Sequence, residues 1–536
     1  MDSMIYNPSE EFDSKFKALH SEKTKAYFDE LVKRSGVNIE ENRRTVAEYD
    51  SCEAAEAKLK KKINLWRFLR VLMIITLILI PLVILKITPK IRAMREELRH
   101  TDDRSNELLA LAQRQMAPLN ILFTDLDALD ILESTVPQIN FAPYFSAEQE
   151  ENMRVNFDFP EGGSREETSI GVLAGEYNGN PFLFEDKLIH QMGMRTYDGY
   201  KTIHWTESYR DSNGNYRTRT RSQTLHATVT KPAPFYSAEV LLNYCAQGAP
   251  DLCFTRDATH LERKSEKEID KYVKRGERKL KKMTDEAIKE NRDFVSMSNT
   301  DFEVLFDALD RNDEVQFRTL FTPLAQTNMV DLIRSRTGFG DDFNFIKNKR
   351  TNRIITNHSR GRDLYPKPSA YVSYSFDIIS ESFARVNEDF FKAVYFDFAP
   401  LLAIPMYQER PVHSLKPIPE KPRTYSYEEF EAMANALDKA SVVHPSTATP
   451  AILKTSFVSS VGDVDEIDVH AYSYETLPRV DFVMVLGGDG RMHSVAVPWD
   501  EYIPLERTER FTVRPAELAK EEHIRARRGN ICICKQ

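Results

Sequence analysis

Apolar residues run without a polar interruption from Val71 to Leu85, and Trp66, Phe68, Leu69 and Ile87 extend the stretch at both ends. At 1.5 Å per residue, segment 66–87 makes a helix of about 33 Å, enough to cross a hydrocarbon core of roughly 30 Å. The pattern predicts a single transmembrane helix carried by Trp66, Phe68, Val71, Leu72, Ile74, Ile75, Leu77, Leu79, Pro81 and Leu85. Trp66 suits the headgroup boundary, Arg67, Arg70 and Lys86 can reach the headgroups, and Pro81 kinks the helix. The run starts too deep for a cleaved signal peptide. A buried core helix and a re-entrant or in-plane anchor are the competing readings. The expected localisation is a single-pass protein held in the lipid bilayer. Lys58, Lys60, Lys61, Lys62, Arg67 and Arg70 nearly balance Lys86, Lys90, Arg92, Arg95 and Arg99, so charge barely orients the span. The charged N-terminal tail has no export signal, a slight lean toward the cytoplasm for it.

Helical periodicity flanks this run. Residues 1–65 read as a polar helical tail, with pieces at Lys23–Arg34 and Glu40–Lys62 separated by the stop Ser35-Gly36. Residues 88–150 read as a helical stalk. Met94, Leu98, Thr101, Ser105, Leu108, Ala112, Gln115 and Leu119 keep a four-three spacing. Half of these are polar or small, which supports weak self-association rather than a strong coiled coil. Pro118 marks a break or kink.

From 151 to 258 the pattern becomes β-rich. Asn178-Gly179, Asp198-Gly199 and Asn213-Gly214 are three hairpin turns, between strands at Ser169–Tyr177, Pro181–Phe184, Tyr200–Arg210 and Tyr216–Lys231. This is an antiparallel meander. A two-residue turn at Asn213-Gly214 pairs Arg210 with Arg217. Alternation then puts Ile203, Trp205, Glu207 and Tyr209 on one face with Thr218, Thr220 and Thr224. Arg210, Arg217, Arg219 and Arg221 fall on the other with Thr206 and Ser208. These four arginines form a basic strip: a solvated face, or a contact for an anionic surface such as lipid headgroups or an acidic partner.

Residues 259–410 read as mainly helical. Ile269, Val273, Leu280, Met283 and Ala287 line one side of an amphipathic helix at 260–292. Phe302, Leu305, Phe306 and Leu309 make a second stripe, and Val315, Phe317, Leu320 and Phe321 a third. Thr322 caps a helix with Pro323 in its first turn. A helix is expected at Phe376–Phe396, and the apolar run Phe390–Tyr407 reads as core because Lys392, Asp397, Pro400 and Pro405 interrupt it. A proline-rich linker, 411–425, leads to an α+β segment, 426–536. There Ser426 and Glu429 form a capping box for a helix reaching Lys439. Strands follow at Ile452–Ser459, Glu466–Ser473, Asp481–Leu486 and Arg491–Val497, then a last helix at Pro515–Arg528. The predicted fold class is α+β: one transmembrane helix with a helical stalk, an antiparallel β-meander domain, a helical domain and a smaller C-terminal β-containing segment.

Composition narrows the function little. A chain of 536 residues, 41% hydrophobic and 29% charged, is not disordered overall. A net charge of -9 spread along the length argues against a nucleic-acid partner. Five cysteines are too few for a disulfide framework, although Cys245 and Cys253 can bridge in an exported region. Cys532-Ile533-Cys534 supplies two ligands where a tetrahedral site needs more, and Ile533 stands where a prenylation cysteine would fall.

Candidate chemistry is sparse. Gly487-Gly488-Asp489-Gly490 partly resembles the signature of cyclic-dinucleotide synthases, without its acidic and aromatic residues; a tight turn between two strands explains it. Asp125, Asp127 and Asp130 read as a polar helix face more readily than as cation ligands. Asp211-Ser212-Asn213-Gly214 resembles the start of a calcium loop, but Ser222 stands at its twelfth position. Gly338-Phe339-Gly340-Asp341-Asp342 reads as a helix stop followed by capping residues, or as a flexible functional loop. Motifs for zinc hydrolases, serine hydrolases and phosphate-binding loops are absent. No cofactor and no metal are expected. The leading expectation is an anchored protein whose large soluble part binds a protein partner or scaffolds near the membrane. The alternatives are a membrane-tethered hydrolase or transferase with a metal-assisted site, and an anionic-lipid-contacting module.

Overall fold

The computed structural model describes residues 4–75, 83–160, 164–210, 212, 215–289, 297–411, 416–462, 464–515 and 531–535. The chain is α+β and divides into two compact units interleaved along the sequence. One unit comprises Met1–Pro8, Gln138–Leu364 and Asp397–Gln536; the other comprises Ser9–Pro137 and Tyr365–Phe396.

The second unit is helical. Its first long helix, Lys17–Ser35, ends where Gly36 takes φ 64°, the left-handed cap expected of Ser35-Gly36. Ile39–Ile75 and Thr88–Asn120 then lie antiparallel: Arg104 Nη2 is 3.6 Å from Glu48 Oε2, and Gln115 Nε2 donates to Thr45 Oγ1 at 3.1 Å. The four-three seam is used inside the unit, with Ser105, Leu108, Ala112 and Leu119 all buried. Pro118 sits in the last turn, where the helix is ending anyway. Phe28, Leu31, Met116, Leu119, Phe123, Ile131, Tyr371, Ile379 and Phe383 form the core.

The expected transmembrane helix is corrected by this arrangement. Among the described residues no helix is long and apolar enough to cross a membrane. Trp66 and Ile87, placed at opposite ends of the span, pack in one cluster with Met73 and Ile91, and Lys90 Nζ lies 4.1 Å from the centre of the Trp66 ring. A straight helix would hold Trp66 and Ile87 about 30 Å apart. The two helices are antiparallel limbs of a helical hairpin, with Trp66 and Met73 of one limb packed on Ile87 and Ile91 at the other. Single-pass membrane localisation loses its basis with that helix. Leu77, Leu79 and Pro81 lie outside the described residues; Leu72, Ile74 and Ile75 belong to the first limb.

The other unit is built on β1 (Ile139–Phe141), β2 (Glu167–Tyr177), β3 (Asn180–Arg210), β4 (Tyr216–Cys245), β5 (Cys253–Arg256), β6 (Phe343–Asn348) and β7 (Thr351–Thr356). They form one antiparallel sheet in the order β1-β2-β3-β4-β7-β6-β5. Four more strands, β8 (Ile452–Val461), β9 (Val464–Leu486), β10 (Met492–Pro515) and β11 (Ile531–Lys535), make a second sheet ordered β11-β10-β9-β8. Asn178 and Gly179, at φ 49° and 83°, form the expected β2–β3 turn. The helix Glu266–Lys289 lies within the expected 260–292; Pro323–Arg334 starts at its Thr322 cap but ends before Gly338, and Tyr427–Asn435 starts at its Ser426 cap but ends before Lys439. Cys245 and Cys253 are free. Pro515 closes β10 rather than opening a helix, and 516–530 lie outside the described residues.

Two expectations about β3 and β4 change. Asp198-Gly199 is not a turn: β3 runs straight through it. Gly199 is needed there because a Cβ would press into the carbonyl oxygen of Ala496 and come within 2.8 Å of Val497 Cγ2. The glycine marks close approach of another strand, not a reversal. The strands leave at Arg210 and return at Tyr216, and those two residues are paired. That is one residue off the expected register. Asn213 and Gly214 lie outside the described residues.

Candidate functional site: a double-hairpin arm

β2 leaves β3 after Ile189 and β7 leaves β4 beyond Leu241, so the rest of β3 and β4 continues as a two-stranded ribbon. A ribbon of this length is marginal in water by itself. It is supported by a second ribbon: β8 ends opposite Tyr472, and β9 and β10 continue past it as a hairpin laid face to face on the first. Ile203, Leu225 and Ala227 of the first ribbon pack on Val495 and Val497 of the second, with Tyr197, Trp205, Val229, Val483 and Val485 around them. At roughly 1.5–3 kcal/mol for each large aliphatic side chain fully buried, this interface holds the arm together. Gly487-Gly488-Asp489-Gly490 is the turn of the upper hairpin. Gly487 N donates to Arg491 O (2.8 Å), and Gly488 N donates to Gln223 Oε1 of the ribbon below (2.7 Å).

The one-residue slip flips every side chain of a strand to the other face. Tyr209 now opposes Arg217, Glu207 opposes Arg219, and Trp205 opposes Arg221. Arg217, Arg219 and Arg221 therefore share the face of Ile203 and Trp205, and emerge where the upper hairpin ends. Arg210 lies on the opposite face, stacked 4.6 Å from the Tyr216 ring. Arg219 and Arg221 converge on Glu207 at 3.2 and 2.7 Å, two guanidinium groups on one carboxylate. Such half-exposed pairs add little stability. The opposite face of the ribbon is polar: Thr196 meets Thr230 and Thr202 meets Thr224, each at 3.1 Å, and His226 meets Asp198 at 2.6 Å.

The upper hairpin is apolar on both faces. Odd-numbered Val483 and Val485 point into the arm; even-numbered neighbours point out. Val480, Phe482, Met484 and Leu486 are 51, 71, 54 and 63% exposed, and Met492, opposite Leu486, is 54% exposed. These five side chains form a contiguous exposed apolar row on the outer side of the arm. It faces the same side of the unit as the three arginines, because the ribbon carrying them is the layer beneath. Sequence reading missed it for a simple reason: the strand Asp481–Leu486 was recognised, but a strand with two apolar faces reads as buried.

A second cluster lies in the body of this unit, and it gathers the Gly338–Asp342 loop. His358 Nδ1 is 2.7 Å from Asp342 Oδ2 and Nε2 is 3.3 Å from Asp397 Oδ1, with Phe339 stacked on the ring at 3.8 Å. Asp397 also accepts from Thr356 (2.6 Å), Ser359 (2.8 Å) and Arg362 (2.6 Å). Asp341 pairs with the buried Arg256. Burial alone would lower the imidazole pKa, but the two carboxylates hold it up at about 9. Burial likewise raises Asp397, and Arg362 and His358 outweigh it, leaving the carboxyl below its usual range. The constellation is not a nucleophile relay. Both ring nitrogens face carboxylates, and Ser359 Oγ donates to Asp397 rather than to His358. The cluster is a buried imidazolium knot that ties the loop to the sheet. Asp127, of the acidic trio, begins the helix Asp127–Thr135 and accepts from Tyr27 and Thr124, at 3.0 and 2.7 Å.

The site thus defines an α+β protein with a projecting arm of two stacked β-ribbons, apolar and basic on one side. Comparison with protein-family models, curated proteins and solved structures finds no match.

Proposed function

We propose that the protein is a binding protein that engages a polypeptide partner with the outer side of its arm. The row Val480, Phe482, Met484, Leu486 and Met492 carries the reading: five large apolar side chains exposed together on strands whose other face packs Val483, Val485, Val495 and Val497 against the ribbon below. Arg219 and Arg221 beside its tip suit a partner with acidic groups flanking an apolar contact, because these two guanidinium groups share the single carboxylate of Glu207. Exposed aromatic and methionine side chains are what partner pockets take up. A photoreactive phenylalanine analogue in place of Met492, in cells that make the protein, tests this. The expected product is a covalent adduct with a second, different polypeptide, lost on adding Leu486→Asp. Adducts with lipid alone, or only with the protein's own chain, would contradict it.

A further inference from the structure

The same residues that expose apolar side chains also carry open backbone. Tyr474 is bonded on the side away from β10: its carbonyl accepts from Ala448 N (2.9 Å) and its N–H donates to Thr449 Oγ1 (3.1 Å). At the far end Gly487 N turns the other way, to Arg491 of the returning strand. The register of β9 against β10 is unbroken between them. Backbone groups alternate sides with a period of two, so Val480, Phe482, Met484 and Leu486 direct N–H and C=O to the edge away from β10. Among the described residues β8 stops opposite Tyr472, and no strand of the sheet extends along this edge beyond it.

The two edges of this hairpin are treated differently. Pro498 is opposite Val480 and Pro504 is opposite Tyr474, so both prolines occupy outward-facing positions of β10. They remove N–H donors there, the usual way of blunting an edge. On β9 only Pro478 does so, and the four residues 480, 482, 484 and 486 beyond it are open.

We infer that this edge of β9 pairs antiparallel with the same edge of a second copy of the chain, centred on Phe482. The segment is self-complementary in that register. Phe482 faces Phe482 and Val480 faces Met484 on the outer side, and each of these pairs exchanges two N–H···O bonds. On the inner side Asp481 faces Val483 and Arg479 faces Val485, so no like charges meet. Both charged residues are already neutralised at home, Asp481 by Lys231 and Arg479 by Glu501, each at 2.7 Å. Leu486 faces Pro478, whose missing N–H ends the pairing zone. The contact is isologous, and the blunted β10 edge stops further growth, so assembly closes at two copies. This inference concerns an edge and goes beyond the partner-binding face, which the pairing leaves open and doubles in width.

Sedimentation of the full chain over a concentration series tests it. The expected species has twice the 61.9 kDa of one chain. Met484→Pro removes one outward N–H that β10 does not use, and Phe482→Lys sets two ammonium groups together at the twofold. Both should sediment as single chains where the parent is paired, with unchanged circular dichroism. If Met484→Pro fails to fold, Phe482→Lys decides. A parent that stays at one chain throughout, pairing that survives both substitutions, or growth beyond two copies would overturn the inference. The Met492 adduct with a foreign polypeptide is read separately, so the two readings fail independently.

Discussion

The helical hairpin and the double-hairpin arm both expose apolar side chains: Phe68, Val71 and Leu85 in one, Phe482, Met484 and Leu486 in the other. Their backbones differ. Phe68, Val71 and Leu85 lie in helices whose backbone hydrogen bonds close internally, so these residues offer only side-chain surface, which is non-directional. The arm offers side chains and unpaired N–H and C=O groups on the same residues, and so specifies a strand, a direction and a register. Equal hydrophobicity in two regions of one chain thus carries unequal information about what it can meet.

The largest effect expected is at the helical hairpin. Ile91→Asp buries a charge among Trp66, Met73 and Ile87 and should cost about 3 kcal/mol or more. Trp66 fluorescence during urea unfolding reads it. Inside the arm, Gly199→Val pushes against Ala496 and Val497 and should cost roughly 1–3 kcal/mol, with the emission of Trp205 and Trp499 shifting red.

The two units also bury histidine in opposite states, which pH separates. His20 is lowered to about 4, chiefly by burial, and its ring nitrogens sit at 3.0 Å from Thr135 Oγ1 and 3.1 Å from the Asn387 carbonyl. The folded helical unit binds fewer protons than the unfolded chain between pH 6.5 and 4, so its stability falls as pH drops through that window, by about 1.4 kcal/mol per unit. His358 is raised to about 9: its contribution is full below 6.5 and is lost as pH rises through 9. His20→Phe and His358→Gln should each flatten one flank of the stability profile and leave the other. The smallest effect on folding is at the arm surface. Phe482→Asp should change unfolding free energy by no more than about 0.5 kcal/mol while abolishing association. A loss of several kcal/mol would mean that the row is core rather than contact.

Much of the fold was legible, because it rests on local chemistry. Ser35-Gly36, Asn178-Gly179, Thr322-Pro323 and Ser426 with Glu429 terminate or cap elements through groups within a few residues of each other. The failures share a cause. The apolar run 66–87 satisfies the composition of a span, and nothing local says that Trp66 will meet Ile91. Gly199 carries the signal of a turn, and only the approach of β10 reveals its use. The arginine strip was displaced by a single residue of register, which a hairpin turn sets and composition does not. At the Gly338–Asp342 loop the acidic residues were visible, but His358 and Asp397 reach them only through the sheet and a distant helix.

The most direct test is amide hydrogen exchange of the β9 segment in the full-length protein at high and low concentration. The account predicts slow exchange at Val480, Phe482, Met484 and Leu486 when concentrated and fast exchange on dilution, with Val483 and Val485 protected at both. Equal exchange at both concentrations would contradict it.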